Sequence, residues 1–164
     1  MSGPFLAAEA LSAGDLTFRE LRRFHVGVYP GVWASRDGDL SPVDRARAAW
    51  LWSGRRGVLS GLSASAAWGA KWIDPREPAE LVHTNRRPPP LIVVHSDALL
   101  PGEVRSVADL PVTTPARTAF DLGRRLHLTS AVQRIDALMN ATDIKVESVA
   151  EVAAGHCGVR GLVW

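Results

Sequence analysis

The stretch Leu110–Leu126, LPVTTPARTAFDLGRRL, most constrains the fold because it predicts a strand that runs directly into a capped helix. Its first residues are apolar and partly β-branched. Thr114 supplies a hydroxyl as the N-cap, and Pro115 takes the first helical position, where a missing N–H costs nothing. The helix then collects small and aromatic residues on one face: Ala116, Ala119, Phe120 and Gly123. The stretch therefore predicts a strand–helix unit of the core.

The other face of this helix carries charged residues. Arg117, Asp121 and Arg124 have the i,i+4 and i,i+3 spacing that favours ion pairs on a helix surface. We expect these pairs to be exposed and to contribute little stability. As exposed cations, Arg117 and Arg124 are also candidate contacts to a partner or to phosphate.

Composition limits the class of protein. The chain has 164 residues, 46% hydrophobic and 22% charged, with a net charge of +2, as expected for one or two ordinary globular domains. Its only cysteine, Cys157, excludes an internal disulfide. No apolar run approaches the ~18 residues that span a bilayer, and the N-terminus lacks the pattern of a signal peptide. We therefore expect a bacterial cytoplasmic protein without membrane contact.

Residues 1–36 predict a small module of their own. A short helix is expected over Phe5–Ala13, and Thr17-Phe-Arg-Glu20 is a capping box that begins a second helix ending near Phe24. Two β-like segments follow, joined by Tyr29-Pro-Gly31, which fits a type II turn. This order predicts an abbreviated winged helix-turn-helix, because Met1–Pro4 leaves no room for the helix that usually precedes it.

The second helix of this module is the candidate DNA reader. Its arginines share the face opposite Leu21, and in a winged helix that face enters the major groove while the hairpin contacts the backbone. Most runs of charged residues on a helix are simply exposed to solvent, so the alternative is that this arginine face binds nothing. The candidate DNA-binding residues are Thr17, Arg19, Arg22, Arg23, His25 and Tyr29.

The pattern of residues 37–164 predicts a mixed α/β domain. Together with the winged-helix-like module at 1–36, this predicts the α+β fold class for the whole chain. Ser41-Pro-Val-Asp44 begins a helix by the same capping logic, and small residues predict another over 62–68. Strands are expected at 58–60, 80–83, 91–95, 104–107 and 110–113. Two amphipathic helices follow. One covers 129–140, with Val132, Ile135, Leu138 and Met139 inward, and the other starts near 143, with Val146, Val149 and Ala153 inward.

Two further groups are ambiguous between packing and binding. Arg86 and Arg87 begin a proline-rich loop and are candidate contacts to a partner or to phosphate, although a solvated loop is the default. Four tryptophans lie at Trp50, Trp52, Trp68 and Trp72. Stacking on bases is one use of tryptophan, but their neighbouring alanines and glycines favour packing in the core.

Catalytic motifs are missing from the chain. It has no P-loop, no glycine-rich dinucleotide turn and no metal-ligand pair at a useful spacing, and His156-Cys157 lacks a second pair to complete a zinc site. His95-Ser-Asp97 has the residue types of a hydrolase triad, but adjacent side chains point apart. We therefore expect a protein that is not an enzyme and that has no cofactor and no bound metal.

Three blocks of the sequence resemble one family. LTFRELRRFHVGVYPGVW, AWLWSGRRGVLSGLSASAAWGAKW and VTTPARTAFDL are similar to segments of the AbiEi antitoxins of type IV toxin–antitoxin systems, and the blocks extend over most of the chain. The resemblance implies an N-terminal domain that binds operator DNA and represses its own operon. It also implies a C-terminal domain that counters a nucleotidyltransferase toxin without forming a stable complex.

Two other interpretations stay open. Similar segments occur in actinobacterial proteins that carry a C-terminal nuclease-like domain of the very-short-patch-repair type. Such a nuclease needs clustered acidic residues around a metal, and we find no such cluster here. The chain is then either an antitoxin, the non-catalytic targeting part of such a nuclease-like protein, or a protein-interaction module.

Overall fold

The computed structural model describes residues 3–158 of the chain, which form seven helices and eight strands in two sheets. This confirms the predicted α+β class. The elements are, in chain order, β1 (Phe5–Leu6), α1 (Ala7–Ala13), α2 (Phe18–Phe24), β2 (His25–Tyr29), β3 (Val32–Ser35), α3 (Pro42–Trp52), β4 (Val58–Leu59), α4 (Gly61–Ala67), β5 (Ala79–Val82), β6 (Ile92–His95), β7 (Val104–Val107), β8 (Leu110–Thr113), α5 (Pro115–Arg125), α6 (Leu128–Ala141) and α7 (Val146–Gly155).

The first sheet is antiparallel, with strand order β1-β3-β2. Phe5 and Leu6 pair with Trp33 and Val32, so the prediction of a helix starting at Phe5 is wrong for its first two residues. Their pairing with β3 outweighs local helix propensity, as tertiary context often does. The turn between β2 and β3 has Gly31 at φ +79°, as the predicted type II geometry requires.

Three predicted helix starts, at Thr17, Ser41 and Thr114, are confirmed by their hydrogen bonds. The last helix instead has Lys145 as its N-cap, and not Thr142 or Asp143. The Thr17 hydroxyl accepts from the Glu20 N–H at 3.3 Å, and the Glu20 carboxylate accepts from the Thr17 N–H at 2.8 Å. Ser41 and Asp44 form the same reciprocal pair at the start of α3. At the start of α5, the Thr114 hydroxyl accepts from the Arg117 N–H at 3.3 Å. Each pair joins residues three apart, which explains why local sequence identified them.

The second sheet has strand order β6-β5-β4-β8-β7. All five strands predicted for this region are present, with ends within one residue of the expected positions. Strands β5 and β6 are parallel neighbours, as are β4 and β8, whereas β4–β5 and β7–β8 are antiparallel. The parallel pair β5–β6 has its carboxyl ends at one edge of the sheet.

One hydrophobic cluster joins the two sheets. Tyr29 and Val32 from the first sheet belong to it, together with Ala46 from α3 and Leu59 and Leu81 from the second sheet. Helix α3 also contacts all three strands of the first sheet. The modules that we predicted at 1–36 and 37–164 therefore share a core, and the orientation of α2 is fixed relative to the rest of the described chain.

Some predicted helix faces are wrong. Val132 and Val146 are 58% and 68% exposed, and Met139 is 37% exposed, because α6 instead buries Ala131 and Leu138 and α7 buries none of its own residues. Trp72 is 85% exposed and does not pack in the core. Trp50, Trp52 and Trp68 do pack against the core cluster, as expected.

None of the helices in the described part of the chain is long and apolar enough to cross a bilayer.

Candidate functional site

The arginine face of α2 lies on the surface. Arg19, Arg22 and Arg23 are exposed, while Leu21 on the opposite face is only 2% exposed. Two of the guanidinium groups lie against exposed phenylalanines: the Arg22 guanidinium is 6.0 Å from the Phe18 ring centre, and that of Arg23 is 5.2 Å from the Phe24 ring centre. Within residues 3–158 none of the three forms a salt bridge. This face therefore presents unpaired positive charge.

The other three predicted DNA contacts lie in different surroundings. The Thr17 hydroxyl is occupied by the capping box. His25 is half-buried, and its ring meets the Phe5 ring edge-on with the ring centres 5.1 Å apart.

Tyr29 needs a correction, because it is a core residue. It is 6% exposed, and its hydroxyl donates to the Leu91 carbonyl at 3.1 Å. Burial raises the pKa of the Tyr29 hydroxyl, and a nearby arginine, Arg45, only partly offsets this. An aromatic residue at the end of a hairpin strand can pack in a core or contact DNA, so the sequence alone did not distinguish the two roles of Tyr29.

Arg86 and Arg87 lie in the loop between β5 and β6 and are exposed. The backbone N–H of Arg87 donates to the Asn85 side chain at 2.9 Å, which shapes the start of the loop. Their side chains form no salt bridge within the described part of the chain, so a role in binding stays a prediction.

The expected exposed face of α5 is buried, which corrects the prediction for Arg117 and Arg124. The Arg117 side chain is 1% exposed, that of Arg124 is 7% exposed, and that of Asp121 is 0% exposed. Helix α5 packs against α4, α6 and α7, and its residues 117–122 are buried. Arg117 is therefore unavailable as a contact to a partner or to phosphate in this structure.

Arg117 is held by two partners distant in sequence, Ala98 and Glu103, and by Asp121 one helical turn away. Its Nη1 donates to Glu103 Oε2 at 2.7 Å and to the Ala98 carbonyl at 2.9 Å, and its Nε donates to Asp121 Oδ2 at 3.1 Å. All of these partners are fixed in place by the folded chain. The spacing of Arg117 and Asp121 correctly predicted an ion pair, but the pair is in the interior.

The ion pairs continue through Asp97 into a network. Arg124 Nη2 donates to Asp121 Oδ1 at 2.8 Å and also to Asp97, which in addition accepts from Arg125. Arg125 Nη1 lies 3.7 Å from Glu80 Oε2. We call this set the charge network, and its members are Glu80, His95, Asp97, Glu103, Arg117, Asp121, Arg124, Arg125 and His156.

A histidine lies at each end of the charge network. His95 Nε2 is 2.9 Å from Glu80 Oε2, and His156 Nε2 is 2.6 Å from Glu103 Oε1. The His156 ring also stacks on Phe120 with ring centres 5.5 Å apart. His95 and Asp97 therefore bind different partners, and they do not form the hydrogen-bonded arrangement that a hydrolase triad needs.

Glu80 also fixes the start of α4. Its Oε1 accepts from the Leu62 N–H at 3.0 Å. Gly61 has φ +53°, and a Cβ atom at that position would collide with the Glu80 carboxylate. The glycine in the SGLSAS segment is therefore required both by its backbone conformation and by the close approach of a carboxylate.

The pKa values of two network carboxyls are lowered. For Glu103, burial alone raises the pKa, but hydrogen bonds from the Leu100 N–H, His156 and Arg117, with the charge of Arg117, outweigh it. For Asp97, burial again raises the pKa, and the charges and hydrogen bonds of Arg125 and Arg124 outweigh it. Folding therefore favours the carboxylate form of both groups.

The chain is expected to lose stability in acid through these two groups. Their pKa values are lower in the folded than in the unfolded chain, so the stabilisation is complete above the ordinary values of 4.5 for Glu103 and 3.8 for Asp97. It is lost as the pH falls through the lowered values.

Urea unfolding at a series of pH values measures this loss. Below the ordinary pKa values of the two groups, the free energy of unfolding should fall more steeply with pH for the native chain than for Glu103→Gln. Asp39→Asn, at an exposed carboxyl without a hydrogen bond or ion pair in residues 3–158, is the control and should leave the profile unchanged. Equal profiles for all three chains would contradict the prediction.

Sequence reasoning missed most of the charge network. Glu80, Asp97, Glu103, Arg125 and His156 come from two strand regions, a loop, and the ends of two helices. No spacing rule connects residues so far apart. The one signal was the group of three arginines and one aspartate in the TTPARTAFDLGRR segment, which local rules assign to the surface.

Among the residues that the structure describes, no group of three or more His, Cys, Asp or Glu side chains is arranged to hold a metal ion. Cys157 is exposed, and its thiol lies 3.2 Å from the Ala154 carbonyl.

Comparison with known proteins adds a family. No curated protein matches the chain. The family described as "AbiEi antitoxin C-terminal domain" matches residues 59–162, which is well over half of the chain. This region extends from the last residue of β4 to beyond α7, and it contains the whole charge network. The chain therefore belongs to the AbiEi antitoxin family.

Proposed function

We propose that this antitoxin binds duplex DNA through α2 and represses its own toxin–antitoxin operon from the cytoplasm. The observation that carries the proposal is the exposed, unpaired face of Arg19, Arg22 and Arg23 on a capped helix that leads into a hairpin. Phosphate contacts by arginine dominate the affinity of most DNA-binding proteins.

The architecture around α2 supports a winged-helix mode of binding. Helices α1 and α2 are followed by the β2–β3 hairpin, and the sheet order β1-β3-β2 places that hairpin beside α2. Helix α3 packs on the same sheet and contacts all three of its strands. With that support, α2 is held rigidly enough to enter a major groove.

The second half of the proposal concerns the toxin. The resemblance to type IV systems indicates a nucleotidyltransferase toxin that is countered without a stable complex, and the matched domain is the one assigned to antitoxins. We also propose that the chain itself catalyses no reaction, as is general in this family. We also propose that Arg86 and Arg87 make additional contacts to a partner or to phosphate, because both are exposed on a single loop.

Replacing Arg19, Arg22 and Arg23 together with alanine is expected to weaken binding to the promoter duplex on the order of 100-fold, at about 1 kcal/mol per lost contact. The slope of log affinity against log salt should fall by about 0.9 for each phosphate contact removed. Fluorescence anisotropy at several salt concentrations measures both quantities.

The matched control replaces Lys71, Arg105 and Lys145, three exposed cations outside α2, and should change neither quantity by more than a small amount. An unchanged affinity and slope in the α2 variant would show that this helix does not read DNA.

Co-expression with the neighbouring toxin gene tests the second half of the proposal, because an antitoxin restores growth. A neighbouring reading frame for a nuclease-like domain would favour the targeting interpretation instead.

A further inference from the structure

A cleft of about 430 Å³ opens at the carboxyl ends of β5 and β6. Its walls are Arg56, Val58, Val82, His83, Thr84, Ser96 and Asp97. The volume is within the range of small-molecule sites, which is roughly 300–1,000 Å³. The carboxyl ends of parallel strands are also where α/β proteins commonly bind ligands.

The strand register brings the polar walls together. The His83 N–H donates to the His95 carbonyl at 3.0 Å, which continues the parallel pairing one residue beyond β5. His83 therefore lies beside Ser96, the first residue after β6. One aromatic ring, two hydroxyl groups and a carboxylate consequently face one space.

The turn between α3 and β4 adds a cation to the cleft. Gly57 donates its N–H to the Ser53 hydroxyl at 2.9 Å, and a Cβ at this position would lie only 3.2 Å from Leu81 Cδ1, so the turn is tightly packed. The turn sends its two arginines in different directions. Arg55 forms an ion pair with Glu9 at 2.7 Å, whereas Arg56 lines the cleft. Arg56 has no acidic partner within salt-bridge distance in residues 3–158.

Of the two charged residues that line the cleft, only Arg56 lacks an ion-pair partner in residues 3–158. The carboxylate of Asp97 is paired with Arg124 and Arg125. His83 is 8% exposed, and its imidazole forms no hydrogen bond with another group of the described chain. Burial, with the charge of Arg56, lowers the pKa of His83, so its ring is neutral at about pH 7 and offers one N–H donor.

We propose that this cleft binds the phosphate group of a small molecule, either as free phosphate or as a phosphate ester such as a mononucleotide. Arg56 supplies the charge and a planar pair of donors that matches phosphate geometry. His83, Thr84 and Ser96 supply neutral donors to the remaining oxygens. The site is separate from the arginine face of α2.

Titration of the ¹⁵N-labelled full chain with inorganic phosphate and with adenosine monophosphate, at constant ionic strength, tests the proposal. Amide shifts should be confined to the residues around His83, Thr84 and Ser96. The pKa of His83 should rise when ligand is present, because a bound anion offsets the charge of Arg56. Tighter binding of the mononucleotide identifies the ester as the ligand, and equal binding identifies free phosphate.

Arg56→Gln should weaken binding about tenfold, which corresponds to about 1.4 kcal/mol. Ser96→Asp, at an exposed position, should abolish binding by placing a negative charge in the cleft. Arg105→Gln removes the same charge at β7, the opposite edge of the sheet, and should change nothing. Equal affinities in the native, Arg56→Gln and Arg105→Gln chains would overturn the proposal. The proposal would also be overturned if Arg56→Gln weakened binding to a DNA duplex but left binding to phosphate and to the mononucleotide unchanged. The cleft would then be part of a DNA-binding surface.

Discussion

Replacing Arg117 with alanine is expected to lower the free energy of unfolding by about 3–5 kcal/mol, the usual cost of removing one partner from a buried ion pair. The change leaves Glu103 and Asp121 without the guanidinium that both contact, and their side chains are 9% and 0% exposed. A typical domain is stable by only about 5–15 kcal/mol, so this variant should approach unfolding. Urea denaturation followed by circular dichroism measures the change.

Two further chains show whether charge or geometry is responsible. Arg117→Lys keeps the charge but not the fork that reaches Glu103, Asp121 and the Ala98 carbonyl, so its loss should be intermediate. Arg105→Ala, at an exposed position, should be almost neutral. A midpoint for Arg117→Ala equal to that of the native chain would mean that the charge network does not stabilise the fold.

Replacing Phe120 with alanine is expected to cost a comparable amount, about 3–5 kcal/mol, because a large buried ring leaves a cavity. Phe120 is 5% exposed and stacks on His156. The guanidinium groups of Arg117 and Arg124 lie 5.7 Å and 5.4 Å from its ring centre. The ring therefore packs against members of the charge network as well as filling space.

The effect should extend to α7. That helix has no fully buried residue. Its partly buried Val149 packs against the cluster of Ala119 and Leu122, and His156, just beyond its end, is a buried side chain that attaches it to the α5 region. Hydrogen exchange should therefore show lost protection across α7 in Phe120→Ala. Thr114→Ala, which removes only the cap of α5, should cost about 1 kcal/mol and leave α7 protected. Normal protection of α7 in the Phe120 variant would mean that other contacts hold this helix.

Local rules predicted much of this fold. The capping pairs Thr17–Glu20 and Ser41–Asp44 and the Thr114 cap of α5 depend on residues three apart, so the sequence alone contains all the information that they need. The five strands of the second sheet have the same origin, since apolar alternation and turn residues are also local patterns. The exposed arginines of α2 follow from helical periodicity around Leu21.

The burial of the charged residues of α5 and the pairing of distant strands could not be predicted from local sequence, because both depend on the tertiary structure. The charged side of α5 resembles an ordinary surface face, because pattern rules place charged residues in solvent. It is buried only because Asp97, Glu103 and His156 arrive from other parts of the chain and neutralise it. The parallel pairing of β5 with β6 likewise formed the cleft at Arg56 and His83 from residues that have no spacing in common. The sequence by itself thus determined where most of the elements begin and end and which face of α2 is charged. Only the tertiary structure decided which charges are buried, since the cost of desolvating a charge is offset by partners that folding alone brings within reach.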